Sequence, residues 1–141
     1  MQLFFRIISL IYVAAIFLLA NSPIVKGLAP FNPYSLLHIP LYGIMSVFIF
    51  FSIAPVKAGH NSQGDVSIRT ARIRLKRYCF IAGLIALAVG IADEYHQSFI
   101  PTRTASAGDV LLDLVGIILS MLLTMQFLKN YSLVKDFEKI A

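Results

Sequence analysis

Hydrophobic and polar positions along this chain fall into blocks. Four long apolar blocks, at about 3–20, 34–54, 78–99 and 107–128, are separated by shorter polar segments. None shows the period of two that a transmembrane barrel strand requires, so each block predicts a helix. A hydrocarbon layer roughly 30 Å thick takes about 20 helical residues to cross, at about 1.5 Å per residue. The blocks have that size. The expected fold is an all-α integral membrane protein, a compact bundle of four transmembrane helices forming one domain over residues 1–141.

Local signals set the expected helix ends. The first block is interrupted only by Arg6 and Ser9. Met1–Ala20 also has the form of a signal peptide, but Leu18 stands where cleavage wants a small residue, which favours a retained helix. Asn32-Pro33 has the order of an N-cap and first-turn proline, predicting the start of the second helix. From that start Pro40 would fall inside the helix, remove a backbone hydrogen bond, free the Leu36 carbonyl and kink the first turns. Residues 55–77 read as a solvated basic loop, with Gly, Asn and Ser giving way to Arg69, Arg72, Arg74, Lys76 and Arg77. Ser106-Ala107-Gly108-Asp109 has the spacing of a capping box opening the fourth helix. The tail from Lys129 mixes both charges and is expected at the interface or in water.

Composition strengthens the membrane reading. Hydrophobic residues make up 58% of the chain and charged ones 13%, with a mean hydropathy of +0.80, too few polar groups to cover a water-facing surface. The net charge of +5 does not point to nucleic acid, because clustered basic residues in a membrane chain set orientation and touch anionic lipid. With the N-terminus inside, ten Lys and Arg are cytoplasmic and only Lys26 and Arg103 lie across the membrane. That bias predicts a multi-pass protein with both termini cytoplasmic. Cys79, the only cysteine, cannot form a disulfide within the chain and reads as a small buried hydrophobe.

Against this background the polar residues between the third and fourth blocks need a reason. Asp93, Glu94, Asp109 and Asp113 are four of the chain's seven carboxylates, and His96, Gln97 and Arg103 lie among them. Tyr78 to Ala92 and Leu114 to Leu128 hold 15 residues each, about 22 Å of helix, and Ile39 to Ala54 holds 16. All fall short of the layer, so each helix finishes its crossing through polar residues. A charge at the bilayer centre costs about 2.5–3.5 kcal/mol, which turns several carboxylates inward, away from lipid.

Spacing agrees. His38 and Tyr42, Asp93 and Gln97, and Asp109 and Asp113 are each four apart and share a helix face. Gly116, on the Asp109 and Asp113 side, predicts close approach of a neighbouring backbone. The expected product is a hydrated acidic pocket in the outer leaflet, with Arg103 above it. Simpler roles remain open: Asp109 as part of the cap, Arg103 as a neutralising charge, Tyr42 and Tyr95 as interfacial aromatics, His96 as a surface residue and His60 as a loop residue.

The run Asp93-Glu94-x-x-Gln97-x-Phe99-x-Pro101-x-Arg103, followed by Asp109 and by Gly116 seven residues later, resembles the central signature of the VanZ-like membrane proteins. His38 with Tyr42 resembles that family's upstream motif. Tyr34 and Ser35 stand where the family often has an Asp-Lys pair, and Asp113 where it often has Asn. The resemblance covers the second to fourth blocks. It implies a bacterial inner-membrane protein of the cell envelope with an outward-facing polar site, and links the chain to low-level resistance to the glycopeptide teicoplanin, the association of the family's founding member.

Three functions fit these residues. An enzyme acting on an envelope lipid or headgroup would use Asp93 or Glu94 as general base and His38 as acid or ligand, with Arg103 gripping a phosphate or carboxylate. A non-catalytic binder of an envelope lipid, a glycopeptide or a partner protein would use Tyr42, Gln97, Arg103, Asp109 and Asp113 as contacts. A structural network would only lock the helices together. Acids beside a histidine also suit a divalent cation such as Mg²⁺, although no ligand spacing identifies a metal. No inverted repeat or pair of broken helices points to a transporter.

Overall fold

The second apolar block forms the helix around which the others assemble. The computed structural model describes residues 2–20, 22–23, 36–54, 65–100 and 106–137, with backbone alone for 65–73 and 130–137. These residues form α1 (Gln2–Leu19), α2 (His38–Ile53), α3 (Asp65–Gln97) and α4 (Ala107–Phe137), with no strand among them. Helix α2 packs against all three others, most extensively against α4, whereas α1 touches α3 only lightly. Its Tyr42, Met45, Ile49 and Phe50 supply the large side chains of the core, and Ala82 and Ala86 of α3 supply small ones. Cys79 is buried in the same core, as a small hydrophobe should be.

The outward faces are apolar too. Leu10, Leu18, Phe80, Leu123 and Phe127 are all well exposed, a surface suited to acyl chains and not to water. Helix α1, Arg74–Gln97 of α3 and Ala107–Lys129 of α4 are long and apolar enough to cross a membrane. Helix α2, at 16 residues, covers about 24 Å and falls short of the hydrocarbon thickness. Its last carbonyls are met by α1: Gln2 Nε2 donates to the Ala54 carbonyl at 2.9 Å and Arg6 Nε to that of Ser52 at 3.2 Å. A cation at a helix C-terminus also opposes the negative end of the helix dipole. Hydroxyls elsewhere satisfy themselves locally, as Ser9 does on the Phe5 carbonyl and Thr124 on that of Ser120.

Three helix ends differ from expectation. Helix α2 begins at His38, after Leu37 in helical dihedrals and without a side-chain cap, so Pro40 occupies its first turn, where a missing N–H costs no intrahelical bond. The predicted Asn32-Pro33 start lies outside the described residues. Helix α3 begins at Asp65, so 65–77 is a helical extension of the apolar span and not loop. That run contains no Gly or Pro, and once the span nucleates a helix, Arg, Ala, Leu and Lys propagate it at little cost. For the same reason α4 continues past the apolar span to Phe137.

Candidate functional site

Polar side chains converge at the end of the bundle where α2 starts, α3 finishes and α4 begins. Close backbone packing of α2 on α4 brings them together. A Cβ on Gly116 would overlap the Ile39 carbonyl, so only glycine lets α4 touch the first turn of α2. The neighbour expected from the sequence is thus the backbone beside His38. Across this seam His38 Nδ1 donates to Asp113 Oδ1 at 2.8 Å, with Asp113 fully buried. The other carboxylate oxygen, Oδ2, lies over Gly90 of α3, where a Cβ would stand 2.7 Å from it.

A second network ties α2 to α3. Asp93 Oδ2 accepts from the Tyr42 hydroxyl at 2.9 Å and from Gln97 Nε2 at 2.7 Å. The His38 and Tyr42 rings run nearly parallel, their centroids 5.9 Å apart. Tyr42 is fully buried, so it is not an interfacial aromatic; Tyr95 is exposed and edge-on to Phe99. His96 is exposed against Phe17 of α1, a surface position as expected.

A third contact reorganises the start of α4. Ser106 Oγ accepts from Gly108 N at 3.1 Å, as an N-cap does, but the Ser106 N–H goes to Glu94 Oε2 at 2.7 Å. In the expected capping box that N–H would belong to Asp109. Glu94 of α3 replaces it, because the two helices meet there, and the half-buried Asp109 carboxylate is left to face its neighbours. One ring nitrogen of His38 and one oxygen each of Glu94 and Asp109 lie within 4.8 Å of one another. Asp93 Oδ1, Glu94 Oε1 and Asp113 Oδ2 are buried without a hydrogen-bond partner. Polar atoms in that state are rare in folded proteins.

The model of the VanZ/LLP1 family matches residues 5–129. The chain belongs to this family. No curated protein and no solved structure matches it. As a VanZ/LLP1 protein it is a membrane protein of the cell envelope, and the matched span includes α1, which the motif resemblance did not reach.

Of the residues picked out in this VanZ/LLP1 chain, His38, Tyr42, Asp93, Glu94, Gln97, Asp109 and Asp113 are brought to one end of the bundle. Arg103 lies outside the described residues, as does His60. Two partners were not anticipated. Gly90 makes room for Asp113, and its signal was its place one turn before Asp93 and Glu94 on the same face. The Ser106 backbone N–H carried no signal, because a main-chain donor is invisible in side-chain spacing.

Proposed function

We propose that this VanZ/LLP1 protein is a multi-pass protein of the bacterial cytoplasmic membrane that binds an envelope lipid through its headgroup at the acidic end of the bundle, on the outer side. The observation that carries this reading is the set of three buried carboxylate oxygens without partners at one helix-bundle end. A buried acceptor left unpaired costs about 1–3 kcal/mol, a cost that a bound headgroup donor would offset. Asp93, Glu94 and Asp113 each already hold one oxygen in a fixed hydrogen bond, so the free oxygens are presented without rotamer freedom. Pre-ordered acceptors lower the entropy cost of binding.

Orientation supports the outer side. Arg6, the basic extension 65–77, the start of α1 and the end of α4 belong to the opposite end of the bundle, which the distribution of Lys and Arg would make cytoplasmic. Arg103, in the connection between α3 and α4, is the residue suited to a headgroup phosphate or carboxylate.

The test is native mass spectrometry of protein extracted in mild detergent. A co-purifying lipid, retained unchanged and lost from Glu94→Gln or Asp93→Asn at equal protein abundance, supports binding. A lipid converted on the protein supports catalysis instead, and no retained lipid at any detergent stringency removes the proposal. Raised teicoplanin tolerance on expression, abolished by the same substitutions, would tie the site to the resistance linked with the family.

One observation favours a second reading. The His38–Asp113 and Tyr42–Asp93–Gln97 bonds join three helices, as a purely structural lock would. That reading requires lipid retention and tolerance to follow folded abundance alone across all these variants.

A further inference from the structure

Three donors at this end of the bundle have the make-up of a metal site. His38, Glu94 and Asp109 each offer one atom within 4.8 Å of the other two. Metal–ligand bonds of about 2.0–2.2 Å put neighbouring ligand atoms about 3.0–3.5 Å apart, so side-chain movements on the order of 1 Å close the set. Two further observations point to a ligand rather than to an acidic surface. Glu94 is only 7% exposed and its Oε1 is buried with no partner, although Oε2 is held by Ser106 N–H. His38 Nδ1 is held by Asp113 Oδ1 at 2.8 Å, which leaves Nε2 as the nitrogen open to a ligand. A metal-binding histidine characteristically donates its other ring N–H to a carboxylate, which fixes both tautomer and ring orientation.

We propose that His38, Glu94 and Asp109 form a three-ligand site for a divalent transition metal of the Zn²⁺ or Mn²⁺ type, with Asp113 as the residue that positions His38. An imidazole nitrogen among the donors disfavours Mg²⁺, which takes oxygen ligands and keeps its waters, and the carboxylates disfavour soft metals. Three protein ligands leave coordination positions open on the ion. The separation of tasks on α4 fits this assignment. Glu94 takes over the Ser106 N–H that the capping box would give to Asp109, and Asp109 is freed for the ion. The site stands on the donor geometry, the buried Glu94 oxygen and the His38–Asp113 bond, and does not require lipid binding.

The experiment uses the full chain in detergent micelles, stripped with a chelator and titrated with Zn²⁺ against a competing indicator. One Zn²⁺ per chain is expected, with a rise in Tm. Asp109→Ala and Glu94→Gln should weaken binding at least as much as loss of an outer-sphere partner, about 10- to 100-fold. His96→Ala, an exposed histidine at the same end, should leave affinity unchanged. Zinc-edge X-ray absorption of the unaltered chain gives an answer even where a variant fails to fold: one imidazole nitrogen with oxygens supports the site. An all-oxygen shell, a shell containing sulfur, no stoichiometric binding of Zn²⁺ or Mn²⁺, or equal affinity in all folded variants overturns it. Lipid retention is read separately by mass spectrometry, so either proposal can fail alone.

Discussion

His38 and Asp113 meet at 2.8 Å across the α2–α4 seam only because Gly116, three residues beyond Asp113, lets α4 touch the backbone of Ile39. The glycine and the pair are one device. A wider seam would leave a buried imidazole N–H and a fully buried carboxylate facing each other without contact.

Gly116→Ala should therefore destabilise the protein through the site as well as through packing. A Cβ there overlaps a carbonyl, which cannot rotate away as a side chain can, and overpacking of this kind costs about 1–3 kcal/mol. Gly83→Ala is the matched control, since its Cβ would sit 3.5 Å from Ile117 Cγ2, an ordinary contact. Thermal unfolding in detergent is expected to show a lowered Tm for Gly116→Ala alone. Equal Tm values for the two variants would mean the seam is looser than described.

Asp113→Asn and Asp113→Ala should behave differently. Asparagine keeps a carbonyl oxygen for the His38 Nδ1–H and has nearly the same volume, whereas alanine removes the acceptor from a buried donor. The unpaired donor costs about 1–3 kcal/mol, and more if the imidazole is charged. The expected order of Tm is wild type, then Asp113→Asn close behind, then Asp113→Ala well below. An Asp113→Ala protein as stable as Asp113→Asn would show that the hydrogen bond contributes nothing to the fold.

How much of this was legible follows from what each signal depends on. The helices were readable because burial in lipid demands unbroken apolar blocks, and the pairing of Asp93 with Gln97 because four residues make one turn. The start of α3 was not readable, since a run of Arg, Lys, Leu and Ala without Gly or Pro suits a solvated segment and a helix equally. Asn32-Pro33 carried a start signal that falls outside the described residues, and His38, where α2 begins, has no side-chain cap before it that a local motif could have announced. The capping box was half right: Ser106 caps α4, but its own N–H is taken by a residue twelve positions earlier, and such tertiary competition leaves no local trace.

That competition yields a prediction about Glu94. Glu94→Gln retains a carbonyl oxygen for the Ser106 N–H and should keep α4 capped, while Glu94→Ala leaves the donor to water or to Asp109. Loss of a cap costs about 0.5–2 kcal/mol. Hydrogen exchange should show faster exchange at the first turn of α4 in Glu94→Ala than in Glu94→Gln, with the middle of α4 unchanged. If Asp109 swings back to complete the capping box, the two variants exchange alike, and Asp109 is then a cap residue first.

The side of the membrane that the acidic end faces is open to direct chemical test. In a Cys79→Ala background, Ser98→Cys places a thiol just beyond α3 at the acidic end and Arg74→Cys places one at the start of its apolar span, both at exposed positions. The distribution of Lys and Arg predicts that a membrane-impermeant thiol reagent added to intact cells labels position 98 and spares position 74 until the membrane is opened. The reverse pattern would put the acidic cluster against the cytoplasm. Since Arg6 and the helical extension 65–77 would then be translocated, that outcome would mean that some stronger signal overrides the basic residues, and the headgroup would have to be sought in the inner leaflet.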